Sequence, residues 1–79
     1  MDREPLRQLI ISQLTMIAPE LEGETLVEDE DMRDAFDLDS MDFLNLVAAV
    51  TKATGVNIPE LDYPKVMTIE NMLEYVLSH

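Results

Sequence analysis

The chain has 79 residues, with 17 acids against 5 bases for a formal charge of −12, one histidine and no cysteine. A single domain over residues 1–79 is expected, since so short a chain buries only roughly 60% of its unfolded surface and has no room for a second core. The missing cysteines exclude a disulfide framework and a Cys-based zinc site, and the negative charge repels phosphate backbones, which argues against nucleic acid and favours basic protein surfaces.

The first residues, Met1-Asp-Arg-Glu-Pro5, carry no basic stretch followed by a long apolar run, and nowhere do about 18 consecutive apolar residues occur. Neither export nor membrane insertion is expected, and a cytoplasmic protein is the plain reading. From Pro5 to Ile17 apolar residues fall at Leu6, Leu9, Ile10, Leu14 and Ile17. That spacing of three and four predicts a first amphipathic helix. Pro5 suits the first turn, where no N–H is needed, and Pro19 ends the helix because the residue before a proline avoids helical angles.

Residues 20–38 form a long connection with Gly23, an acidic run at Glu28–Asp31, and apolar residues at Leu21, Leu26, Val27, Met32, Ala35, Phe36 and Leu38. The apolar punctuation predicts a loop packed across the helices, with a turn of helix near Asp31 to Ala35. Eleven of the acids lie between Glu20 and Asp42, and Arg33 is the only base among them. Such a run reads as a solvated, solubilising face and also as an electrostatic guide around Ser40.

A second helix is expected from Asp39 or Ser40 to about Ala53, closed by Gly55 as a left-handed cap. Phe43, Leu46, Val47 and Val50 form its buried stripe. Asp39 and Asp42 have the spacing of a capping box, which makes Ser40 the first helical residue, free to point outward at the positive end of the helix. The outer strip holds Met41, Asn45, Ala48 and Lys52, with Leu44 near its edge.

Val56–Pro59 reads as an extended link that inserts Ile58, and a brief third helix is expected from Asp62-Tyr-Pro64 to about Met67. Thr68 is the expected N-cap of a last helix in which Ile69, Met72, Leu73, Val76 and Leu77 keep one face. Core packing is expected for Met16, Met67 and Met72. Three longer helices and one short one, none able to bury its stripe alone, imply an all-α, antiparallel four-helix bundle with a long loop between the first two helices.

Within this layout the segment Asp37-Leu-Asp-Ser-Met-Asp-Phe-Leu-Asn-Leu-Val47 resembles the attachment motif of acyl carrier and peptidyl carrier proteins, whose Asp-Ser-Leu or Asp-Ser-Met serine receives a 4′-phosphopantetheine arm. The tail, Gly55–Glu60 and Thr68–Val76, also looks like that family's third and fourth helices, so the likeness spans nearly the whole chain. It implies an acyl-carrier-protein-like bundle, a discrete monomeric carrier without catalysis of its own, and covalent attachment at Ser40. Asp39, Met41 and Asp42 would be the motif recognised by a phosphopantetheinyl transferase. The further partners implied are an acyl or aminoacyl loading ligase or synthase and downstream enzymes, which dock on Met41, Leu44, Asn45 and Ala48. The cargo would be an acyl, polyketide or aminoacyl group held as a thioester, with Phe43, Leu46, Val47, Ile58, Val66 and Met67 as the candidate lining for an acyl chain.

Two departures from the family pattern stand out: no glycine precedes the Asp-Leu-Asp-Ser run, and the outer strip of the second helix is rather neutral where fatty-acid carriers are strongly acidic. Both favour a specialised pathway over bulk fatty-acid synthesis. Other readings of Ser40 are an ordinary helix-start serine and an esterase nucleophile, but no histidine except His79 can serve as base and no Gly-x-Ser-x-Gly elbow is present. Asp37, Asp39 and the residues beyond fail as a calcium loop, because Met41, Asp42 and Ala48 stand where an acid, a glycine and a glutamate are required, and no metal is expected. The alternative from another class is a non-covalent acidic helical adaptor that binds a basic partner through residues 20–42.

Overall fold

Helix α1 (Arg3–Ile17) starts behind Asp2 and carries Pro5 in its first turn, where the missing N–H leaves no intrahelical bond unmade. It ends at Ala18, whose N–H reaches the Leu14 carbonyl at 2.8 Å, and Pro19 then opens a 3-10 turn that buries Leu21. The computed structural model describes residues 2–79. Within them come a short helix α2 (Met32–Ala35), α3 (Ser40–Thr54), a 3-10 segment (Glu60–Val66) and α4 (Ile69–Ser78).

The all-helical bundle expected from the apolar spacing is the fold observed. Leu6, Ile10 and Leu14 of α1, Leu46 and Val50 of α3, and Ile69, Met72 and Leu73 of α4 have no exposure at all. Helix α1 lies against both α3 and α4, and α4 also packs on the 3-10 segment. Every buried residue of the described chain is apolar, so the fold rests on hydrophobic burial without interior charge.

Met16 corrects one expectation. It is 72% exposed instead of packed in the core. Two residues beyond Leu14, it lies about 200° around the helix from that buried position and faces water. Leu77, expected on the buried face of α4, is 42% exposed. The third helical piece also differs from expectation, forming a 3-10 segment that starts at Glu60. Pro64 inside it removes an N–H and obstructs the carbonyl four residues back, which disfavours an α-helical turn there.

The long connection is pinned by most of its apolar residues, although Val27 is 42% exposed and Ala35 also faces water. Leu21, Met32, Phe36 and Leu38 are buried, and Leu26 packs at the core's edge. Glu28 ties two helices together: its carboxylate accepts a 2.8 Å bond from the Arg7 Nε of α1, and its carbonyl accepts the Glu70 N–H in the first turn of α4 at 3.0 Å. That pairing raises the Arg7 pKa, chiefly through the hydrogen bond to Glu28. The Met32 N–H adds a 2.7 Å bond to the Met67 carbonyl. Among the described residues no helix is long and apolar enough to cross a membrane.

Candidate functional site

The placement of Ser40 results from a chain of local bonds that begins in α2. Asp31 caps that helix by accepting the Arg33 N–H at 2.8 Å. At its other end the Leu38 N–H returns to the Arg33 carbonyl at 3.2 Å, while Asp37 takes a left-handed φ of 55°. This six-to-one bond around a left-handed residue is a Schellman-type termination, with aspartate in the place that usually belongs to glycine. Leu38 is thereby buried, and the chain turns directly into Asp39.

Asp39 and Asp42 form the reciprocal box that their spacing predicts. The Asp42 N–H donates to Asp39 Oδ1 at 2.8 Å, and the Asp39 N–H donates to Asp42 Oδ2 at 3.3 Å. Ser40 is the first residue of α3 and is exposed. The backbone N–H groups of Ser40 and Met41 have no intrahelical acceptor, so this helix end favours an anion on the hydroxyl beside it.

Ser40 opens on a cleft of about 280 Å³ lined also by Arg33, Phe43, Leu44, Glu60, Tyr63, Pro64 and Met67. Tyr63 meets Phe43 edge to face, with ring centroids 5.6 Å apart, and so joins the 3-10 segment to α3 along one wall. Sequence reasoning left Arg33, Glu60, Tyr63 and Pro64 out of the site. A signal did exist for Arg33, the lone base in the acidic stretch, although its nearness to Ser40 depends on the turn at Asp37.

Of the residues named as acyl-chain lining, Phe43 and Met67 reach this cleft. Val47 and Ile58 instead line a second groove of about 540 Å³, together with Leu44, Asn45, Ala48 and Lys52. Leu46 and Val66 belong to the fully buried core and line neither. On the outer strip of α3, Met41 is 64% and Leu44 43% exposed, and Asn45 and Ala48 are exposed as well. Among the described residues no three His, Cys, Asp or Glu side chains converge to hold a metal ion.

The chain matches the family described as "Phosphopantetheine attachment site" over residues 4–76. It belongs to that family. Two relatives agree with this. An acyl carrier protein of Rubrobacter xylanophilus is 28% identical over 79 residues, covering all of this chain and 96% of the relative. An acyl carrier protein of Lactobacillus johnsonii is 30% identical over 59 residues, covering 75% of this chain and 74% of the relative.

The protein is thus a phosphopantetheine-bearing carrier, not a catalyst, and its prosthetic group is 4′-phosphopantetheine. As a family member it works with a phosphopantetheinyl transferase and with biosynthetic enzymes. The residues present fit such a group: an exposed hydroxyl, free N–H groups at a helix start and an adjoining cleft with apolar walls occur together. When bound, the group supplies a thiol at the end of a flexible arm. The protein's own part is to present the attachment point to its partner enzymes.

Proposed function

We propose that Ser40 is the residue that carries the arm, and that the protein holds an acyl, polyketide or aminoacyl group as a thioester for delivery to successive enzymes. The observation that supports this most is the exposure of Ser40 at the first position of α3, outside the bundle and inside the Asp39–Asp42 box. An attachment point must reach a second protein's active site, and a hydroxyl sealed in the core could not. In the modification step the Ser40 oxygen bonds to the phosphorus that bears pantetheine, the pyrophosphate P–O bond of coenzyme A breaks, and adenosine 3′,5′-bisphosphate leaves. The serine proton passes to a base of the transferase, for which Asp39, Met41 and Asp42 are the proposed recognition residues.

Partner enzymes are proposed to dock on Met41, Leu44, Asn45 and Ala48. This strip carries no formal charge, so its contacts gain from apolar burial more than from charge steering. An acyl chain, if sheltered, enters past Phe43 and Met67 and requires Leu46, Val47, Ile58 and Val66 to move apart. A specialised pathway remains the proposed setting, because the neutral strip differs from the acidic face of fatty-acid carriers.

Mass spectrometry after incubation with coenzyme A and a broad-specificity transferase tests the central point. One phosphopantetheine addition, absent in Ser40→Ala, is expected. No addition under conditions that modify a control carrier would overturn the proposal, and binding of a basic partner with full indifference to Ser40→Ala would favour an acidic adaptor instead.

A further inference from the structure

Resting on the attachment at Ser40, we propose that Arg33 is the counter-ion of the phosphodiester formed there and holds the root of the arm against the cleft. Five bases occur in the chain. Arg7 is paired with Glu28 and Glu4, and Lys65 with Asp62, while Arg3, Arg33 and Lys52 make no ion pair within 4.0 Å among the described residues. Only Arg33 of these three lines the cleft on which Ser40 opens.

Its lack of a partner is notable because Asp31 and Asp34 stand close by in sequence. The Asp31 carboxylate is occupied in capping α2, through the Arg33 backbone N–H. The Arg33 carbonyl takes the Leu38 N–H, so the backbone is held at both ends while the guanidinium stays available. Glu60 is the one carboxylate on the cleft wall, and it too lies beyond ion-pairing distance of Arg33.

A phosphodiester on the Ser40 oxygen is a singly charged anion with two free oxygens, which a guanidinium fork can meet with parallel N–H bonds. The helix end supplies partial positive charge from one side, and Arg33 supplies a full charge from the cleft side. Asp39 and Asp42 oppose the anion, which gives the cation its purpose. The consequence is a more ordered arm root, with pantetheine lying toward Phe43, Tyr63 and Met67.

The test compares unmodified and modified protein for the wild type, Arg33→Gln and Arg33→Lys, by thermal midpoint and by the ³¹P resonance of the phosphodiester at low and high salt. Modification is expected to raise the wild-type midpoint by roughly 1–5 °C at low salt, an amount fitting one exposed charge pair in a domain of this size. Arg33→Gln should lose that gain and shift the ³¹P signal, Arg33→Lys should keep part of the gain, and high salt should shrink the wild-type gain. Equal gains and equal ³¹P positions in wild type and Arg33→Gln, with Ser40 modified in both, would overturn this inference alone. Failure of the wild type to accept the arm would overturn it together with the proposed attachment.

Discussion

Asp39 and Asp42 each accept the other's backbone N–H, at 2.8 Å and 3.3 Å, so that Ser40 sits inside a closed loop of two hydrogen bonds at the start of α3. The box satisfies N–H groups that the helix cannot satisfy itself, and it fixes the direction in which Ser40 leaves the bundle. Asp39→Ala should therefore cost about 1 kcal/mol, equivalent to a fall of roughly 4–8 °C in thermal midpoint. Asp39→Asn retains an oxygen acceptor and should stay close to wild type. Calorimetry of the two variants checks this, and equal losses would show that charge, not the hydrogen bond, matters at position 39.

Asp37 occupies the left-handed turn between α2 and α3 with φ 55°. For most side chains that conformation costs roughly 1–2 kcal/mol, although aspartate tolerates it better than most. Asp37→Gly should be neutral or stabilise by up to about 1 kcal/mol, the relief being partly offset by glycine's greater freedom in the unfolded chain. Asp37→Val should destabilise by about 1–2 kcal/mol, since a β-branched residue is poorly suited to positive φ. Urea denaturation of the pair would expose the reverse order if the turn were not under this constraint.

The two faces of α1 give opposite expectations for residues only two positions apart. Leu14 has no exposure, whereas Met16 is 72% exposed. Leu14→Ala should cost about 2–5 kcal/mol through lost burial and an incompletely collapsed cavity. Met16→Ala should change stability by less than about 0.5 kcal/mol. Denaturation midpoints that fell equally for both would contradict the assigned face.

A hydrogen bond from the Tyr75 phenol of α4 to the Asp62 carboxylate links the last helix to the 3-10 segment. That bond, with lesser help from Lys65, holds the Asp62 carboxyl below its ordinary pKa, and the same bond raises the Tyr75 phenol above its own. The lowered carboxyl contributes stability above the ordinary carboxylate pKa and loses it as pH falls through the lowered value. The raised phenol contributes below the ordinary phenol pKa and loses its share as pH rises through the raised value. In Tyr75→Phe, the Asp62 carboxyl should titrate nearer the ordinary range and stability should vary less with pH at both extremes. An Asp62 titration curve, followed by NMR, that did not move in this variant would assign the shift to another cause.

Features that depend on neighbours three and four residues apart could be read directly from the order of the residues. The face of Leu6, Ile10 and Leu14, the Asp39–Asp42 box, the Gly55 cap with φ 77° and the Thr68 cap bonded to the Asn71 N–H are all of this kind. Their geometry is set by the period of the helix and by the four free N–H or carbonyl groups at each end, so local spacing suffices. Long-range packing was needed for Glu28 to join α1 to α4 and for Arg33 and Tyr63 to line the same cleft as Ser40. Those contacts depend on how the helices pack and on where the turn at Asp37 sends the chain, which the spacing of side chains along the sequence does not encode.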